Sequence, residues 1–194
     1  SKVFAVENSN VEQTTIPHTK TSGSNNYFKF SEQGWVQGGS SEHIWSYSPS
    51  STLNASDIWY EVNFVGNKID IYAGKNQPMG KVAYYIDDKL MGEYSLYNTS
   101  NINSTFITSF EGLSEGPHKF KAVATGKRDT NSTNTLIDCA QVIVYHEPYA
   151  VNDIITTQVS YTLLEGAKQQ IGYTVSPDYV EVSDLSFTSE DKNI

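Results

Sequence analysis

Aromatic, amide and cationic side chains occur in several segments between strand-like stretches of the sequence and, for Trp45 and Tyr72, on the adjoining strands. The residues of this kind that could contact a small ligand are Trp45, Tyr72, Lys75, Asn76, Gln77, Tyr97, Asn98, Arg128 and Asn131. An aromatic ring can stack on the C–H face of a sugar, while amide and cationic groups form hydrogen bonds with its hydroxyls. The combination therefore suits a small polar ligand, of which a sugar is one.

Within this set, Trp45 or Tyr97 would supply the stacking ring. Lys75, Asn76, Arg128 and Asn131 would then supply hydrogen bonds. The alternative is that Trp45 belongs to the core, Tyr97 lies on the surface and the loops are only solvated. The sequence alone leaves both interpretations open.

Residues suited to catalysis are scattered along the chain. His18, His43, His118 and His146 lie in separate segments, without the spacing of a metal site or a catalytic triad. Cys139, the only cysteine, lies in an apolar run and is predicted to be a buried free thiol. The chain itself is therefore not expected to be an enzyme.

Composition excludes other classes of function. The net charge is −9, so a surface that binds nucleic acid is not expected. No apolar run approaches the roughly 18 residues of a membrane helix. The many Ser, Thr and Asn residues favour strands joined by polar turns, which predicts an all-β fold.

The elements that must position these side chains show alternating polar and apolar residues. In the segment 57–64, Ile58, Tyr60, Val62 and Phe64 should face inward. A turn at 65–67 should form a hairpin to a strand over 68–73. Further strands are predicted over 80–86, 89–96, 105–110, 117–125 and 135–146, with a tight turn at Asp87-Asp88.

Successive antiparallel strands place their connections alternately on two rims. One rim should receive the short links at 66–67, 87–88 and 111–116. The other should receive the long polar loops at 48–56, 74–79, 97–103 and 126–134. Because binding sites on β-sandwiches usually lie in long loops, we expect the ligand site on this second rim, called here the long-loop rim.

The pattern pauses near Glu147-Pro148, and a second unit follows with strands predicted over 154–163, 170–175 and 185–188. We therefore predict a β-sandwich over 1–148 and a partial β-domain over 149–194. Since about 45 residues do not close a sandwich alone, the chain is expected to be a piece of a longer polypeptide.

The first unit resembles the galactose-binding-domain-like carbohydrate-binding modules of bacterial glycosidases. The matching segments, within about 27–147, are Gly34-Trp35, Trp45-Ser46, 64–75, 80–88, 94–97, 112–120, 124–126 and 136–138. The resemblance implies a jelly-roll β-sandwich that binds a galactose-type or other glycan without catalysis. It also implies that a structural Ca²⁺ is possible, although no dense run of oxygen ligands is visible.

The second unit resembles the opening of a bacterial immunoglobulin-like domain of group 2. The segments that match are 165–167, 173–177 and 185–191. Together the two resemblances imply a secreted or cell-wall-attached bacterial protein, with a glycoside hydrolase elsewhere in the parent chain. The alternative is a structural or adhesive spacer module that binds a host protein.

Overall fold

A computed structural model describes residues 11–36, 40–147, 153–156, 170, 172–176 and 178. The chain divides into two compact units, and the larger one is Asn10–Glu147. Its regular structure is β-strand, apart from one short 3₁₀ turn at Ala55–Asp57. The all-β prediction is confirmed.

Eleven strands are described in the larger unit. They are β1 (Glu12–Pro17), β2 (Tyr27–Phe30), β3 (Ile44–Trp45), β4 (Trp59–Val65), β5 (Lys68–Lys75), β6 (Lys81–Ile86), β7 (Lys89–Ser95), β8 (Ile102–Phe110), β9 (Pro117–Ala124), β10 (Asp138–Cys139) and β11 (Gln141–His146). Four of them form a sheet in the order β1-β11-β5-β8, and five form a sheet in the order β2-β4-β9-β6-β7. All neighbouring strands in both sheets are antiparallel. This arrangement is a jelly-roll β-sandwich.

The core lies between the two sheets. The residues predicted to face inward on β4 and just before it, Ile58, Tyr60, Val62 and Phe64, are at most 1% exposed, so that prediction is confirmed. Phe110 of the four-stranded sheet contacts Tyr84 and Phe120 of the five-stranded sheet, with ring centroids 6.4 and 6.5 Å apart. Rings from both sheets thus close the sandwich.

The link between β4 and β5 differs from the prediction. It is not a hairpin, because β4 belongs to the five-stranded sheet and β5 to the four-stranded sheet. Phe64, Val65 and Gly66 are buried in succession, so the chain passes over the end of the core instead of turning back along one sheet. At Gly66 a Cβ would lie 2.3 Å from the Tyr145 carbonyl oxygen, so only glycine fits the crossing.

The short links meet at one end, as predicted. The Gly66 amide donates to the Gly116 carbonyl, which joins two of them. Asp87 and Asp88 have φ values of 49° and 65°, which fit the tight hairpin between β6 and β7. His118 holds this hairpin, because its Nδ1 lies 2.6 Å from an Asp87 carboxylate oxygen and its Nε2 lies 2.7 Å from the Ser114 carbonyl oxygen.

The predicted strand over 135–146 is divided in two. β10 pairs with β3, and β11 pairs with β1 and β5 in the four-stranded sheet. The chain changes partners at Ala140, whose amide donates to the Tyr72 carbonyl. Cys139 beside this break is a buried free thiol, as predicted.

In the second unit the described residues form one antiparallel pair, β12 (Asp153–Thr156) with β13 (Tyr173–Ser176). Both strands overlap predicted ones, and residues 157–163 of the first predicted strand lie outside the described residues. The predicted strand over 185–188 lies outside the described residues, and the immunoglobulin-like assignment stays a prediction. No helix in the described part of the chain is long and apolar enough to cross a membrane.

Candidate functional site

The long loops of the larger unit are hydrogen-bonded to one another at the long-loop rim. The Asn98 amide donates to the Asn76 carbonyl, and the Thr133 amide donates to the Gln77 carbonyl. Ser48 Oγ donates to Asn134 Oδ1 across 3.0 Å. These bonds connect loops from both sheets, so the rim is one continuous surface held by the sandwich.

Four of the predicted site residues form the middle of this surface. The backbone of Asn76 bridges that of Tyr97, so the two loops run side by side. Gln77 Nε2 donates to the Thr99 carbonyl, and Asn98 Nδ2 donates to the Ser100 carbonyl. Each amide retains donor or acceptor capacity beyond these bonds, because an amide side chain can make about four.

Lys75 ends β5 at the same rim. Arg128 is exposed and donates from Nη1 to the Ser132 carbonyl at 3.0 Å, which leaves its other N–H groups for a ligand. Asn131 is also exposed in this loop. Asp129 lies between these two residues in the loop. The Ser95 hydroxyl and the Lys81 ammonium both stabilise its carboxylate and lower its pKa. The loop therefore presents cations beside a carboxylate that is already paired.

Trp45 and Tyr72 lie within strands and not in the loops themselves. Trp45 is partly buried against the core, with its ring centroid 5.2 Å from that of His43. This favours the core alternative for Trp45. Tyr72 lies within β5 and meets the Phe106 ring edge-on, with centroids 5.8 Å apart. Its side chain therefore belongs to the outer face of the four-stranded sheet.

A buried ion pair that the sequence did not predict anchors a loop near the rim. His43 Nδ1 lies 2.6 Å from Asp138 Oδ2, and the other carboxylate oxygen of Asp138 accepts from the Gly74 amide. The hydrogen bond with Asp138 raises the pKa of His43, and burial raises the pKa of Asp138. Ser40 and His43 also form hydrogen bonds with each other within this turn, so the His43–Asp138 ion pair fixes the position of residues 40–44.

Two of the depressions on the described surface bear on the candidate site. One, of about 600 Å³, lies between the turn at Ser41-Glu42 and the segment 101–104, where the loop before β8 runs into that strand. The other, of about 500 Å³, includes Trp59. Lys121 Nζ covers one face of the Trp59 ring at 4.5 Å from its centroid, so that face is not free to stack on a ligand.

The described residues contain no group of three or more His, Cys, Asp or Glu side chains able to hold a metal ion. The possible Ca²⁺ therefore has no acidic ligand set in the part of the chain that the structure describes. We assign no role in this site to a metal.

No protein-family model and no curated protein matches the sequence. Among solved structures, a family two carbohydrate esterase from Clostridium thermocellum is similar, with TM-score 0.42 and 13% identity over 64% of this chain. This chain spans 34% of that esterase.

Two carbohydrate-binding modules of family CBM36 are also similar. The CBM36-1 domain of a multidomain xylanase from the hindgut metagenome of Trinervitermes trinervoides gives TM-score 0.39 and 12% identity, over 68% of this chain and 95% of that one. A CBM36 in complex with calcium and xylotriose gives TM-score 0.36 and 12% identity, over 68% and 98%. Similarity at this level concerns the course of the chain and not what it binds.

Proposed function

We propose that the larger unit is a non-catalytic carbohydrate-binding module that binds a galactose-type or other glycan at the long-loop rim. In a secreted or wall-attached bacterial protein, such a module would hold an attached glycoside hydrolase on its substrate. The observation that supports the proposal is the hydrogen bonding among loops from both sheets, which holds together, before a ligand arrives, the loops that carry the amide, cationic and aromatic side chains. Fixing them in advance reduces the entropy lost on binding.

The chemistry of the rim suits a sugar. Gln77 and Asn131 are exposed amides, and Arg128 adds N–H donors. Tyr97 is half-buried between the loops, so its ring can pack against a C–H face while its edges remain supported. A ligand with hydroxyls around an apolar ring face meets all of these groups.

The histidines already have structural partners, which supports a binding role over a catalytic one. His43 pairs with Asp138, His118 pairs with Asp87, and His18 lies 3.2 Å from the Ala140 carbonyl. His146 contacts the Glu147 carbonyl. None of them is needed to explain sugar binding.

A surface site for one or two sugars buries little area, so we expect a dissociation constant on the order of 0.01 to 1 mM. A site of this affinity is useful when the module is linked to another domain that acts on or binds the same glycan. Linkage to a catalytic domain or to another copy raises the effective concentration without new contacts.

The test is a glycan array with the full chain, followed by calorimetry on captured glycans. Tyr97→Ala and Arg128→Ala should each weaken binding by about tenfold, because each removes a ring or charged contact. Lys89→Ala is the matched control, since Lys89 is an exposed cation after the turn at the opposite rim. Thermal unfolding should be the same in all four proteins.

Two outcomes would contradict the proposal. If both rim variants bind every captured glycan as the parent does, the site is not at the rim. If the parent captures nothing across a broad array, a structural or adhesive spacer module is the better account.

A further inference from the structure

A row of side chains crosses the outer face of the four-stranded sheet. Pro17 lies opposite Gln141, Gln141 lies opposite Tyr72, and Tyr72 lies opposite Phe106 in the strand pairings. Their chain neighbours Ile16, Ile71 and Val142 are buried in the core, so the row faces outward. With strands about 4.8 Å apart, the row is about 14 Å long.

One end of the row is aromatic. Phe106 is 50% exposed on β8, which forms an edge of the sheet. Tyr72 supports it edge-on, with the two ring planes at 73°. A half-exposed ring held by a second ring offers a firm apolar surface to a ligand.

The 600 Å³ depression runs beside the row, since its lining includes Pro17 and Gln141 at one end of the row and, on β8, Ser104, which is two residues from Phe106. Its polar lining comes from Ser41, Glu42, Asn101, Asn103, Ser104 and Gln141. Asn103 Nδ2 donates to a Glu42 carboxylate oxygen, and Asn101 Nδ2 donates to Asn103 Oδ1 at 3.1 Å. These bonds join the two walls of the depression, and the buried His43–Asp138 pair fixes the turn that carries Glu42.

We propose that this strip, from Phe106 through Tyr72 and Gln141 to the depression, is a second glycan site that binds a stretch of a neutral polysaccharide chain. The ligand class rests on the proposed glycan-binding function. The strip includes none of the rim residues Lys75, Asn76, Gln77, Tyr97, Asn98, Arg128 and Asn131, although its depression takes in Asn101 of the 97–103 loop. The row is long enough for more than one sugar ring, and the row together with the depression beside it offers the two parts of sugar chemistry, an apolar face and hydrogen-bonding groups. The polar lining also suits hydroxyls better than the apolar patch of a protein partner.

Charge sets the preference for neutral chains. The lining of the depression contains the Glu42 carboxylate and no Lys or Arg. A uronate or another acidic sugar would bring a second negative charge beside Glu42 without a cation to balance it. The rim differs because Arg128 lies there. Lys75 lies opposite Ile102 in the pairing of β5 with β8 but is not one of the residues that line the depression.

The test compares the full chain with Phe106→Ala, Glu42→Gln and the control Leu90→Ala. Leu90 is 54% exposed on β7, an edge strand of the other sheet, so it matches Phe106 in exposure and setting. The probes are cello-, xylo-, manno- and galacto-hexaose and tetragalacturonate, measured by calorimetry at low salt. Tyr97→Ala is included to report on the rim.

We expect at least one neutral hexaose to bind, with affinity about tenfold lower in Phe106→Ala and unchanged in Leu90→Ala. Tetragalacturonate should bind the parent at least about tenfold more weakly than that hexaose, and Glu42→Gln should narrow the difference. If hexaoses bind and only Tyr97→Ala weakens them, the sheet-face site is refuted while the proposed function stands. If no glycan binds the parent, both fail, and if Phe106→Ala instead changes the oligomeric state, this face is a protein interface.

Discussion

Replacing Asp138 with alanine should lower the free energy of unfolding by about 3–5 kcal/mol, the usual cost of breaking a buried ion pair. Asp138 is fully buried and accepts hydrogen bonds from both His43 and the Gly74 amide. Removing the carboxylate leaves two buried donors unpaired, each at a cost of about 1–3 kcal/mol. This is a large part of the 5–15 kcal/mol by which a domain is typically stable.

Asp138→Asn separates hydrogen bonding from charge. The amide oxygen can still accept from Gly74, so the loss should be smaller, about 1–2 kcal/mol. The pKa of His43 is raised above 6.5 by its bond to Asp138, so that stabilisation is fully present below about pH 6.5 and is lost as the pH rises through the raised value. The stability difference between parent and Asp138→Asn should therefore be larger near pH 6 than near pH 9.

Urea unfolding followed by tryptophan fluorescence measures both effects, since Trp45 lies beside His43. Titratable groups elsewhere affect parent and Asp138→Asn alike and cancel in the difference. A loss below about 1 kcal/mol for Asp138→Ala would show that the pair does not support the fold. A difference that grows toward high pH would refute the assigned pKa direction of His43.

Other substitutions test further parts of the structure. His118→Gln should destabilise most near pH 5, because bonds to Ser114 and Asp87 raise the pKa of His118 against the opposing effect of burial; that contribution fades at high pH. The hydrogen bonds that Asp87 accepts from the Lys119 amide and His118 outweigh burial and lower the pKa of Asp87, so the stability that Asp87 contributes is lost as the pH falls through that lowered pKa. If the loss of stability in His118→Gln did not change with pH, the pKa directions given for His118 and Asp87 would both be wrong. Gly80→Ala should lower the free energy of unfolding by about 1–3 kcal/mol, since a Cβ would lie 2.6 Å from the Lys127 carbonyl oxygen. The Lys81 amide donates to that same oxygen, so its hydrogen exchange should become faster, and an unchanged exchange rate would contradict this prediction. The Tyr84 hydroxyl is buried beside the Tyr60 hydroxyl, and neither makes a well-aligned hydrogen bond in the described residues, so Tyr84→Phe should leave the free energy of unfolding in urea equal or higher by up to about 1 kcal/mol. A clear loss would show that the Tyr84 hydroxyl bonds to Tyr60 or to an internal water.

Alternation along the chain was enough to predict most of the strands and the inward residues of β4, because burial follows a period of two. It could not show that β4 and β5 belong to different sheets. A crossing between sheets and a hairpin within one sheet both reverse the direction of the chain, so either one places the link at the same end of the sandwich. The distribution of loops between the two rims was therefore predicted correctly, although the pairing of β4 with β5 was wrong.

The sequence also could not reveal contacts that depend on long-range register. His43 and Asp138 are 95 positions apart, and both are near the short strands β3 and β10. Phe106 meets Tyr72 only because the pairing of β5 with β8 shifts between Ile71 and Tyr72. The binding roles of Lys75, Asn76, Gln77, Tyr97, Asn98, Arg128 and Asn131 stay predictions.

The pairing of β1 with β11 affects how the larger unit responds to a pulling force. Glu12 lies opposite His146, so the chain enters and leaves this unit at adjacent points, and Pro17 lies opposite Gln141 at the far end of the pair. Tension applied through the two flanking segments would break the hydrogen bonds between β1 and β11 one after another, instead of loading all of them at once in shear. The long-loop rim lies at the end of the sandwich where β1 and β11 would separate last. A glycan held at the site proposed there would therefore stay bound after the first hydrogen bonds between these strands have broken.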